Sequence, residues 1–184
     1  MKNRYFIAVL PEGHLPQYHR ALSENLSKKF DVPKSRSLLT PHITLKAPFE
    51  ASAEDLVSLK RMLALFSEEQ SNGRRNKIPF WIKGYGHLGR RVITLDVVPS
   101  LQMVRAVSNM QERLSDFPWM TWGSHEPIFH FHVTLLNRDL DEKFDVIWDF
   151  LQKMSPPKFD LLYDNIALLR KEETRWIVDT IYRI

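Results

Sequence analysis

A tetrapeptide of the form His-x-Thr-Leu, with an apolar second residue, occurs twice: His42-Ile43-Thr44-Leu45 and His132-Val133-Thr134-Leu135. Each copy lies in a run that alternates polar and apolar residues, LTPHITLKAPF over 39–49 and FHFHVTLLNR over 129–138. Strand side chains point alternately to two faces, so a period of two marks a half-buried strand. In the second run Phe129, Phe131, Val133 and Leu135 share one face, and His130, His132 and Thr134 share the other. In the first run Pro41, Ile43 and Leu45 share one face, and His42, Thr44 and Lys46 the other. A face meeting only water would more cheaply carry Lys, Glu or Thr, and one meeting only core would carry Val or Ile. Two copies, 90 residues apart, constrain the chain to a fold that presents two such strands.

The surrounding pattern repeats as well. A strand over 4–11 precedes a helix over 14–31, whose Tyr18, Leu22, Leu26 and Phe30 recur at i+4. The first motif strand follows. Ser52 and Asp55 form a capping box that opens a helix with Leu56, Leu59, Leu63 and Phe66 on one stripe. A polar connection over 71–77 leads to a strand over 78–86. The order then returns: a strand over 90–98, and a helix over 101–117 with Met103, Val107, Met110, Leu114 and Phe117 inward. An aromatic-rich loop over 117–127 follows, then the second motif strand, and a helix from Asp141 to Met154. A strand over 158–170 and another over 175–184 close a hairpin. The chain therefore reads as one α+β domain over 1–184, built from pseudo-repeats of about 1–87 and 88–184. A pseudo-twofold axis between them would bring the motif strands to face each other across a groove.

Two histidines on facing strands suit the hydrolysis of a 2′,3′-cyclic phosphate. One takes a proton from water, and the other protonates the departing oxygen on the far side of phosphorus. An ordinary imidazole pKa of about 6.5 serves both roles near neutrality. Thr44 and Thr134 can donate hydrogen bonds to the non-bridging oxygens. His⁺ and hydroxyl donors then carry the charge stabilisation, so no metal or cofactor is required.

The other candidates divide between a role and a bland reading. Lys46 adds charge near the phosphate or marks the exposed strand end. Arg138 reaches a phosphate if the strand lasts that far, or is a surface Arg. Tyr85 and Trp122 stack on a base or are buried or rim aromatics. His130 lines the groove or is a structural histidine at its edge. His14, His19, His87 and His125 read as solvated.

Composition narrows the field. The 184 residues include no Cys, which excludes disulfides, a thiol nucleophile and a thiolate metal site. The N-terminal apolar run is too short for a secretion signal, and no stretch approaches transmembrane length. A monomeric cytoplasmic protein without membrane association is expected. A net charge of +4 mildly favours an anionic partner.

Paired His-x-Thr-Leu motifs in a duplicated α+β chain of this length resemble the 2H phosphoesterase superfamily, which includes the "2′-5′ RNA ligases" that act as RNA 2′,3′-cyclic phosphodiesterases. The resemblance implies a two-lobed fold, with antiparallel sheets flanking a central groove and helices packed outside. It places the catalytic histidines at His42 and His132 and the phosphate-binding threonines at Thr44 and Thr134. The substrate class implied is a nucleotide or RNA terminus, with RNA ligation as a related activity. The first motif departs from the RNA-ligase branch by running into KAPFEAS, so a small cyclic nucleotide or an ADP-ribose cyclic phosphate also fits. The rival readings are a non-catalytic nucleotide- or RNA-end-binding module in the same groove, and a metal hydrolase using His130 and His132 with a carboxylate.

Overall fold

The computed structural model describes residues 2–32, 40–71, 78–123, 130–137, 140 and 142–184. The elements run β1 (Asn3–Val9), α1 (Leu15–Phe30), β2 (Ile43–Ala51), α2 (Ala53–Ser71), β3 (Ile78–Leu88), β4 (Val92–Pro99), α3 (Leu101–Ser115), β5 (His132–Asn137), α4 (Phe144–Gln152), β6 (Lys158–Tyr163), β7 (Asn165–Glu172) and β8 (Arg175–Arg183). The helices form where apolar residues recur at helical spacing. Leu22 and Leu26, Leu59, Leu63 and Phe66, and Met103, Val107, Met110 and Leu114 are all buried. At the head of α2 the Ser52 N–H donates to Asp55 Oδ2 at 2.8 Å, and the Asp55 N–H donates to Ser52 Oγ at 3.2 Å, which is the capping box expected there. Asp141, the expected start of the fourth helix, lies outside the described residues.

Two four-stranded antiparallel sheets form, with strand orders β2-β1-β7-β8 and β5-β4-β3-β6. Each motif strand is an edge strand, paired with the strand that opens its repeat. Strands β3, β7 and β8 do not keep to their own halves of the chain. β3 leaves the first half of the chain to sit beside β4, and β7 leaves the second half to sit beside β1. One apolar core spans both sheets and all four helices, including Ile7, Leu45, Leu95 and Val133. Each such fully buried side chain contributes ~1.5–3 kcal/mol.

The expected single strand over 158–170 is two strands that belong to different sheets. The break falls at Asp164, next to Asn165. The buried Asn165 amide accepts from the Leu10 N–H at 3.0 Å and donates to the Leu10 carbonyl at 2.9 Å. A side chain thus completes the backbone pairing of Leu10 where the chain changes sheets.

Candidate active site

The face of the first sheet away from the main core carries a small buried apolar cluster, Phe6, Ala8, Ala167 and Leu169, against which Leu10 and Trp176 pack. Thr44 lies opposite Ala8 in the β1–β2 register. The His42 ring lies 5.2 Å from that of Phe6, which in turn meets Trp176 edge-on at 4.7 Å. On the second sheet, Thr134 lies opposite Thr94, and His132 lies opposite Asp96. The two motif strands contact each other, so two adjoining sheet edges carry both motifs.

The two histidines are held alike. His42 Nδ1 lies 3.3 Å from the Thr40 carbonyl, and His132 Nδ1 lies 2.8 Å from the His130 carbonyl, each two residues upstream. A carbonyl only accepts, so Nδ1 carries the proton and Nε2 of the neutral ring keeps its lone pair. Their surroundings differ. Burial pushes His42 down to about 4, opposed by the Thr40 carbonyl and helped by the charges of His132 and His19. Burial also lowers His132, opposed by the His130 carbonyl; the His130 ring lowers it further and Asp96 raises it.

Each motif is followed by a β-bulge at the same place. Between Ile7 and Ala8, β2 spends two residues, from Lys46 to Thr44; between Ile93 and Thr94, β5 spends two, from Leu136 to Thr134. A bulge sets two residues against one and resets the alternation beyond it. Leu45, Lys46, Leu135 and Leu136 are accordingly all buried. This corrects the expectation for Lys46, which does not share the face of His42 and Thr44. Lys46 is 1% exposed, lies opposite the core residue Ile7, and its Nζ is 4.7 Å from the Trp122 ring and 5.8 Å from that of Phe49. Trp122 packs over this ammonium group.

Tyr85 is half-buried and packs against the core, one of its two expected readings. A register shift between Ile82 and Tyr85 turns Tyr85 to the core side, opposite Leu95, where its hydroxyl bonds that of Tyr18 at 2.9 Å. His130 is exposed just before β5, its ring stacked 5.8 Å from that of His132. Arg138 lies outside the described residues, as does His125.

His19 corrects the solvated reading. Its Nε2 lies 2.7 Å from the Thr134 carbonyl, and Ser23 Oγ donates to the Leu135 carbonyl at 3.3 Å. Gln111 of α3 donates likewise to the Leu45 carbonyl at 3.2 Å. Helices of opposite halves thus bond the carbonyls at each bulge. The i, i+4 spacing of His19 and Ser23 was the available signal, but it has meaning only once α1 is known to pack on β5. Asp96 was also missed. Val92, Thr94 and Asp96 alternate with Ile93, Leu95 and Val97, so its face was readable, but its partner strand was not.

Among the described residues no group of three or more His, Asp or Glu side chains is placed to hold a metal ion, and no helix is long and apolar enough to cross a membrane.

Two edge strands of a two-lobed α+β fold, each presenting a His-x-Thr pair, define a protein of the 2H phosphoesterase type. A model of the 2′-5′ RNA ligase superfamily matches residues 11–175, and the chain belongs to that family. Solved structures agree in fold. TT0787 of Thermus thermophilus superposes with a TM-score of 0.62 at 17% identity, over 98% of this chain and 97% of that one. Escherichia coli LigT in apo form gives 0.59 at 17% identity, over 100% and 98%. LigT complexed with NADP+ gives 0.56 at 18% identity, over 100% and 99%. A sequence search among curated proteins finds no match.

Proposed function

We propose that the chain hydrolyses a 2′,3′-cyclic phosphate at an RNA end or on a small nucleotide, without a metal. His42 and His132 are its base and acid, and Thr44 and Thr134 hold the phosphate. The observation that carries this reading is the matched pair of rings. Each motif histidine donates Nδ1–H to a backbone carbonyl and keeps Nε2 for chemistry, on adjoining strands of the two lobes. One Nε2 takes a proton from water as its oxygen bonds to phosphorus. The other delivers a proton to the ribose oxygen whose P–O bond breaks, leaving a phosphomonoester and a free hydroxyl. An RNA 5′-hydroxyl attacking in place of water, with O3′ departing, would give a 2′–5′ linkage. His⁺ and two hydroxyl donors supply the charge stabilisation. LigT has been crystallised with phosphate and with NADP+, which fits a phosphoester ligand here. The reading includes a monomeric, cytoplasmic protein.

The test is turnover of a panel of 2′,3′-cyclic nucleotides and a short RNA with a 2′,3′-cyclic end, in EDTA, beside the His42→Ala/His132→Ala double variant. Turnover that survives EDTA and vanishes in the variant is expected. Binding without turnover would replace the enzyme by a nucleotide-binding module.

A further inference from the structure

The two halves use their first helices in a matching way. An offset of 88 positions carries the buried Leu15, Leu22 and Leu26 of α1 onto the buried Met103, Met110 and Leu114 of α3. The same offset carries Ser23 onto Gln111, and these two side chains bond the carbonyls of Leu135 and Leu45, the equivalent motif residues of the opposite halves. His19 breaks the match. Its counterpart on α3 is Val107, a buried core residue, whereas His19 places Nε2 2.7 Å from the Thr134 carbonyl. A carbonyl only accepts, so this Nε2 carries a proton and donates it.

The bond falls on a motif threonine. Successive carbonyls of a regular strand point to opposite edges. β5 is an edge strand, and its bulge at Leu135 lets one helix, through His19 and Ser23 four residues apart, reach the successive carbonyls of Thr134 and Leu135. The direction of the Thr134 carbonyl is the ψ angle of Thr134 itself. Holding that carbonyl therefore fixes the backbone from which the Thr134 hydroxyl projects. Burial lowers the proton affinity of His19, opposed by its bond to the Thr134 carbonyl, so near neutrality the ring donates as an uncharged group. A Lys or Arg could also donate, but its permanent charge would act on His42, which a charged His19 already disfavours as a cation.

We propose that His19 is a positioning residue of the site: by donating Nε2–H to the Thr134 carbonyl, it ties the second motif to the helix that precedes the first and holds the Thr134 hydroxyl toward the phosphate. This rests on the phosphate-holding role proposed above for Thr134 and deepens it. The site then depends on a third histidine, which acts through the backbone.

The experiment compares His19→Gln, which keeps an uncharged N–H donor, with His19→Leu, which has none. In the labelled full chain, NMR reads the Thr134 carbonyl shift and the three-bond couplings that report its χ1 rotamer. Wild type and H19Q should hold one Thr134 rotamer; H19L should move the carbonyl signal and average the couplings. A titration with inorganic phosphate, followed at Thr44 and Thr134, should weaken by about fivefold in H19L and by less than about twofold in H19Q. A Thr134 rotamer and carbonyl shift unchanged in H19L would overturn the proposal, as would equal departures in both variants, which would mean that the ring only fills space. Phosphate binding by none of the three proteins would count against the phosphate-holding role, while the couplings of the free chain would still judge His19.

Discussion

His42 offers a direct thermodynamic test of how its surroundings act on it. Its ring is pushed down to about 4, chiefly by burial, whereas an unfolded chain restores an ordinary value near ~6.5. The sign follows from linkage. A group whose folded pKa lies below its unfolded value is protonated first in the unfolded chain. Its contribution to stability is whole above pH ~6.5 and is lost as pH falls toward ~4. A tenfold difference in proton affinity is worth ~1.36 kcal/mol, so the full loss is about 3 kcal/mol, with roughly 2.5 kcal/mol gone by pH ~4.5. His42→Gln keeps a polar side chain that does not titrate. Urea unfolding, followed by tryptophan fluorescence at pH ~7.5 and ~4.5, gives the loss for each protein. Carboxylates and the other histidines titrate in both, so the difference between the losses isolates His42. The wild type should lose about 2–3 kcal/mol more than H42Q. Equal losses would show that the ring is not kept neutral by its surroundings.

Other outcomes are expected. Asn165→Ala strands the Leu10 N–H and carbonyl, and should cost about 2–4 kcal/mol in urea unfolding; a cost under ~0.5 kcal/mol would mean that water replaces the amide. Ser52→Ala removes one half of the capping box at α2 and should lower stability by about 1 kcal/mol in the same assay. Tyr163→Phe removes a buried hydroxyl that has no hydrogen-bond partner among the described residues, so calorimetry should find Tm unchanged or raised. Each single variant, His42→Ala and His132→Ala, should abolish turnover of a confirmed cyclic phosphate while circular dichroism stays as in the wild type.

The sequence announced what depends on short-range pattern and hid what depends on pairing. Period-two alternation around both motifs, the helical stripes and the Ser52–Asp55 box are local, and each was readable. The face of Lys46 was not, because parity counts only as far as the next bulge. Neither Leu45-Lys46 nor Leu135-Leu136 marks a bulge in its own letters; the extra residue shows only against β1 and β4. The split at Asp164 escaped notice because a run over 158–170 without Gly or Pro reads as one strand. The two central histidines were legible because their residue types are costly anywhere else. The place of His19 was not, since it bonds the Thr134 carbonyl across a contact that no spacing reveals.

The exchange of strands between halves has a consequence for how such a chain can be divided. β3 completes the sheet of the second half, and β7 and β8 complete that of the first. Neither 1–87 nor 88–184 holds both its motif and the strands that finish the sheet beneath it. Cut between β3 and β4, the chain would give two fragments, each an unfinished sheet with one of the two motifs, and the motif strands would meet again only by intertwining. Because one chain carries all eight strands, the two sheets complete each other by folding rather than by an assembly that depends on concentration.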